Sequence, residues 1–225
     1  MVIPMNTTND TKKPEKKGGK RRGIFDAVFP QEYDFEAMLT HQAECTLTGM
    51  EALIAWLDAD TLTAPDELIR IGDDVDRVRY ELEDLLLEAF STPFNRQDIY
   101  TLSRNIDYIL NYAVDTAREM YAFDVLPDPP IREMAQALLS GTRHVVEGIR
   151  SIGTDKAQVE ECIRKGRTQV HSIEDRYIAC MAELFRTDDV MEAMKKREIY
   201  HHLHDGGTAL RRALYIIHKT QVGLA

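Results

Sequence analysis

The run Tyr200-His201-His202-Leu203-His204-Asp205-Gly206-Gly207 gathers three histidines and an aspartate into five consecutive positions. On a helix, residues at i, i+3 and i+4 share a face. His201, His204 and Asp205 therefore bring two imidazoles and one carboxylate together. Neutral imidazole nitrogen and carboxylate oxygen are donors for a divalent transition metal, with zinc, nickel and iron the candidates. Three ligands from one helix leave such a site shallow unless a second helix contributes, and solvated imidazoles are the bland alternative. Gly206 falls on the apolar stripe of the same helix, where a glycine admits a neighbouring helix closely; a hinge is the competing explanation.

The elements that must position these residues are helical. Leu68, Ile71, Val75, Val78, Leu82, Leu85 and Ala89 step by threes and fours, as an amphipathic helix requires. Leu102, Ile106, Ile109, Ala113, Ala117 and Met120 repeat the pattern, and so do Ile199, Leu203, Leu210, Leu214 and Ile217. Six main helices are predicted, near 34–58, 66–90, 96–122, 130–150, 155–186 and 189–222. No alternating strand pattern competes. Thr63 is the expected N-cap of the second helix, followed by an early proline and an acid. Between the second and third helices stands Phe90-Ser91-Thr92-Pro93-Phe94-Asn95-Arg96-Gln97-Asp98-Ile99. Pro93 cannot extend a helix, Asn95 is a good N-cap, and Asp98 lies where a carboxylate favours free amides. Phe94 and Ile99 occupy the positions of a hydrophobic staple. The stretch is an elbow in which only Arg96 and Gln97 lack a structural task.

The chain has 225 residues, 44% of them hydrophobic, with 8 Pro and 12 Gly, which is enough apolar material for a substantial core and few turns. Residues 1–22 carry Lys12, Lys13, Lys16, Lys17, Lys20, Arg21 and Arg22 against Asp10 and Glu15, a net of +5, which leaves −15 for the remainder of a chain whose total is −10. A body so acidic repels nucleic acid, and no nucleic-acid partner is expected. The basic stretch, 1–23, is expected to be a disordered tail able to touch anionic headgroups as a peripheral membrane contact. Cys45, Cys162 and Cys180 form no C-x-x-C pair and read as free core thiols in a reducing compartment. The polar start has no secretory signal, and no run of apolar residues is long enough for a membrane span. A cytoplasmic protein is expected. No G-x-S-x-G, Walker loop or H-E-x-x-H occurs, so hydrolase and nucleotide chemistry have no motif behind them.

Two short segments echo one another. Glu88-Ala89-Phe90-Ser91-Thr92 is matched by Glu183-Leu184-Phe185-Arg186-Thr187, and Asp98-Ile99-Tyr100 by Glu198-Ile199-Tyr200. Two similar three-helix lobes, about 34–122 and 130–222 within a domain covering 24–225, would account for this.

The elbow T-P-F-[DN]-R-x-D-I after a long acidic helix, with the later Leu184-Phe185 and Glu198-Ile199-Tyr200, resembles the PhoU-like proteins associated with Pit-type inorganic phosphate transporters. The resemblance runs from about Ile24 to Gln221, and Thr92–Ile99 is its most specific part. It implies an all-α bundle, a non-enzymatic accessory role in phosphate transport and docking to a Pit-type transporter. It also implies acidic pairs at i and i+4 that hold metal clusters. Those pairs fall here on Gly72 and Asp76, with Asp73 and Asp74 beside them; on Asp107 and Asn111; on a position for which Glu174 is the surviving candidate; and on His204 and Thr208. About half the ligands are missing. The pairs 107/111 and 204/208 are expected to face outward from equivalent helices. A ferritin-like di-metal oxidoreductase is a rival, but its two E-x-x-H pairs are represented only by Glu198-Ile199-Tyr200-His201. Long amphipathic helices also make a homo-oligomer an expectation.

Overall fold

The computed structural model describes residues 33–59 and 61–224. The basic tail lies outside them, as does the start of the resemblance at Ile24. Six helices follow: α1 Phe35–Leu57, α2 Asp66–Glu88, α3 Arg96–Phe123, α4 Pro129–Ser151, α5 Lys156–Leu184 and α6 Val190–Leu224. Each boundary lies within two residues of the one predicted. There is no strand among the described residues.

Local chemistry accounts for most of the helix starts. Asp34 Oδ1 accepts from the Ala37 amide at 2.9 Å, Asp128 Oδ1 from Ile131 at 3.1 Å, Asp155 Oδ1 from Gln158 at 3.0 Å and Asp189 Oδ1 from Glu192 at 3.0 Å. Each satisfies an amide that the helix itself leaves free and puts a negative charge at the positive end of the dipole. Asn95 caps α3 as expected, accepting from Gln97 at 2.8 Å. Thr63 does not cap α2. That helix begins at Asp66, with Pro65 in the capping position and no side-chain cap. The proline ring pushes the residue before it towards extended backbone, which holds Thr63 outside the helix. Its carbonyl instead accepts the Trp56 indole N–H at 3.0 Å.

The elbow holds a second correction. Arg96 has a structural task after all, because its guanidinium donates to the Leu86 carbonyl and, at 2.6 Å, to the Ala89 carbonyl. Both oxygens lie at the end of α2, where carbonyls lack intrahelical partners. Asp98 also does more than favour an N-terminus: its Oδ1 accepts from Lys219 Nζ of α6 at 2.6 Å.

Helices α1, α2 and α3 pack on one another, as do α4, α5 and α6, which gives two three-helix lobes. The lobes join through α1 on α4 and α3 on α6, while α2 and α5 each touch only their own lobe. One core runs through the junction and includes Leu39, Leu53, Ile106, Leu110, Leu138, Ile199, Leu210 and Ile217, all fully buried. The internal repeat extends to packing detail. A Cβ on Gly49 of α1 would overlap Leu110 of α3, and one on Gly141 of α4 would overlap Leu210 of α6. The same leucine-into-glycine contact thus recurs at matching places in both lobes. Along the α1–α4 seam, Glu44 pairs with Arg150 at 2.5 Å, Glu51 with Arg143 at 3.1 Å, and Asp58 with Arg132. These solvent-facing pairs add little stability individually, but their order fixes α1 antiparallel to α4.

Candidate functional site

The histidine segment lies near the middle of α6, where Ile199, Leu203 and Leu210 are buried and set the direction of the remaining faces. Gly206 and Gly207 let two neighbours approach. A Cβ on Gly206 would come within 2.8 Å of Leu138 of α4, and one on Gly207 within 3.0 Å of Ile173 of α5. Close packing, not a hinge, explains the glycines. One turn beyond Ile173, α5 presents Tyr177. Its ring stacks on His204, with centroids 4.4 Å apart, and its hydroxyl lies 3.3 Å from His201 Nδ1.

His201, His204 and Asp205 come together as the spacing predicts. Each can place one ligand atom so that all three lie within 4.8 Å of one another. His201 Nε2 is 3.7 Å from Asp205 Oδ2, and His204 Nδ1 is 3.7 Å from Asp205 Oδ1. Both separations are too long for hydrogen bonds. His204 Nδ1 is buried and has no hydrogen-bond partner. The second helix that a metal site would want is present, though it supplies a tyrosine and not a further imidazole or acid. His202 points elsewhere. Its Nε2 lies 3.1 Å from Glu119 Oε1 without hydrogen-bond alignment, and its ring stacks over Tyr112 in the α3–α6 seam.

The acidic positions have a different character. Asp73 is exposed and Gly72 is buried. Asp74 pairs with Arg70 at 3.1 Å and with Arg77. Asp76 binds Arg79 at 2.8 Å, and the same guanidinium reaches Glu83 at 2.9 Å and Asp107 Oδ2 at 3.2 Å. Glu174 is engaged by Arg211. Asp107 does not face outward: it is 2% exposed, between α2 and α3, and accepts from Asn111 Nδ2 at 3.0 Å. The outward expectation fails because α3 is enclosed by α1, α2 and α6, so polar residues beside its main apolar stripe are covered too. His204 also departs from it, being half-buried beneath Tyr177. Burial pushes the Asp107 carboxyl up to about 6, against the pull of Arg79.

A multinuclear carboxylate cluster does not fit these residues. Gly72, Asn111 and Thr208 supply no carboxylate, and Asp76, Asp107 and Glu174 already hold guanidinium groups. Arginine forks match carboxylates with two parallel donors and supply here the positive charge that a cation would bring.

Sequence reasoning missed Tyr177 and Arg79. Periodicity identifies faces, not which face meets which, so nothing marked Tyr177 as the neighbour of His204. Arg79 escaped because the apolar count of α2 is right only at alternate positions. Leu68, Val75 and Leu82 are buried as counted, but Gly72, Arg79 and Leu86 are buried in place of their half-buried neighbours Ile71, Val78 and Leu85.

With this geometry in view, comparison with known proteins is informative. No family model matches the chain. A protein of Rhizobium meliloti (strain 1021) named "Putative pit accessory protein" is 24% identical over 130 residues, covering 56% of this chain and 61% of that protein. The chain thus spans less than two thirds of that relative's length. Among solved structures, a PhoU-like protein from Shewanella oneidensis MR-1 superposes with a TM-score of 0.69 at 15% identity, covering 84% of this chain and 99% of the other. A second protein from the same organism, named a "putative PhoU-like phosphate regulatory protein", gives a TM-score of 0.64 at 15% identity, over 84% and 100% of the two chains. The chain has the PhoU-like fold. That is the fold which the resemblance carried by its elbow implies. Among the described residues, no helix is long and apolar enough to cross a membrane.

Proposed function

We propose that this protein is a non-enzymatic regulatory accessory of inorganic phosphate transport, acting from the cytoplasmic side by docking to a Pit-type transporter. The observation that carries the proposal is the convergence of a PhoU-like fold over 84% of the chain with similarity to a protein named as a Pit accessory. The structure is compatible with a scaffold: many charged side chains of its described residues pair with one another along and between long helices. In this proposal the bundle binds transporter loops, and the basic tail adds electrostatic attraction to the membrane surface, roughly 1 kcal/mol per basic residue near anionic lipid.

Phosphate uptake measured in cells expressing a Pit-type transporter, with and without this chain, tests the reading. A changed uptake rate together with co-purification of the two proteins is the expected result. Unchanged uptake and no co-purification would overturn it. Deleting residues 1–22 should lower co-sedimentation with anionic vesicles, and unchanged recovery would remove the tail from the account.

A further inference from the structure

We infer that His201, His204 and Asp205 form a mononuclear site for a zinc-class divalent ion, with Tyr177 of α5 orienting one of its ligands. The inference does not depend on the transport proposal.

Spacing is the first argument. Zinc binds imidazole nitrogen and carboxylate oxygen at about 2.0–2.2 Å, so neighbouring ligand atoms in a tetrahedral site stand about 3.3–3.5 Å apart. The two imidazole-to-carboxylate separations are both 3.7 Å. That distance leaves a direct hydrogen bond unmade, and these two contacts need only a few tenths of an ångström of contraction. The set as a whole lies within 4.8 Å, so side-chain rotations that draw its widest pair in by roughly 1 Å close the atoms around an ion. The carboxylate offers one oxygen to each imidazole, so it can settle on the ion from the middle of the set.

The second argument is an orphaned atom. His204 Nδ1 is buried without a hydrogen-bond partner, and buried polar atoms are seldom left so. A metal bond would satisfy it. The third is orientation. Metal-bound histidines commonly donate their other ring N–H to a neighbouring oxygen, which fixes ring and tautomer. The Tyr177 hydroxyl lies 3.3 Å from His201 Nδ1, so that nitrogen can carry the proton and donate. Its Nε2 lone pair is then directed towards Asp205. Two imidazoles and one carboxylate suit a borderline ion; magnesium and calcium want more oxygens. The three ligands are only half-buried, so water can take the fourth position.

Titration of the metal-stripped full chain with Zn²⁺, competed against a chromophoric chelator, should give one equivalent bound. Co²⁺ in its place should show the strong visible absorption of a tetrahedral ion. Asp205→Asn and the double variant His201→Ala/His204→Ala should each weaken binding by about 100-fold or more, and Tyr177→Phe by about 10-fold. His171→Ala should bind as the parent does. Circular dichroism of each variant separates lost ligands from lost fold, and the near-isosteric Asp205→Asn keeps the test decisive if the double variant unfolds. No stoichiometric Zn²⁺ in the parent, equal affinity in folded Asp205→Asn, or only the weak absorption of octahedral Co²⁺ would each overturn the inference.

Discussion

Arg79 is 3% exposed and serves three carboxylates at once, those of Asp76, Glu83 and Asp107. Asp76 and Glu83 retain some contact with water; Asp107 has almost none. Replacing the arginine therefore strands one buried charge more than it loses three ion pairs. Arg79→Ala should cost about 3–5 kcal/mol in urea unfolding, while Arg79→Met combined with Asp107→Asn should recover much of that. The pH dependence follows from the raised Asp107 carboxyl, from 3.8 to about 6. Between those values the folded chain holds a proton that the unfolded chain has released. Stability from this group is complete below the lower value and is lost as pH rises through the upper one. Relative to Asp107→Asn, the parent should lose stability between about pH 4 and pH 6, and a flat difference across that range would contradict the assignment. Residues of this kind were only partly legible. His201, His204 and Asp205 were found because ligand chemistry and helical spacing lie within one segment. Tyr177 and the Arg79–Asp107 pair join residues from different helices, and no local pattern encodes such pairings.

At the scale of elements, the α2–α3 elbow illustrates what sequence supplies and what it withholds. Proline, an asparagine cap and the flanking apolar residues were enough to place the break and the start of α3. The clamp by Arg96 was not visible, since its carbonyl partners carry no side-chain signature. Arg96→Ala should cost about 1.5–3 kcal/mol, the range for hydrogen bonds to a charged group. Arg96→Lys should recover only part, because an ammonium lacks the planar fork that reaches two carbonyls. Thermal unfolding reads both. The glycine contacts give a second element-scale prediction. Gly141→Ala forces the fully buried Leu210 to move, and overpacking of this sort costs about 1–3 kcal/mol. Gly49→Ala should behave alike through Leu110. A variant pair with no loss of stability would mean that these leucines repack freely.

Over the whole molecule, the all-α bundle and its helix boundaries were legible because amphipathic periodicity persists through nearly every segment. The assembly of the lobes was legible only faintly, through Phe90 and Phe185 in their matched segments; both are exposed, at 81% and 78%. What unites the lobes is apolar material of α1, α3, α4 and α6, flanked by ion pairs such as Glu51–Arg143 and Asp98–Lys219 whose partners lie far apart in sequence. Because that core crosses the junction, unfolding should be a single transition by calorimetry, with matching calorimetric and van't Hoff enthalpies. Two separated transitions would mean that the lobes are energetically independent.

The way α1 meets α4 while α3 meets α6 has a consequence for covalent continuity. Each lobe offers its sister the counterpart of the surface it receives, much as two subunits do across a dyad. The peptide linking Asp124 to Asp128 is then a tether that raises local concentration, and the shared apolar surface does the holding. Severed there, the two fragments should find each other in solution and rebuild the parent from its pieces.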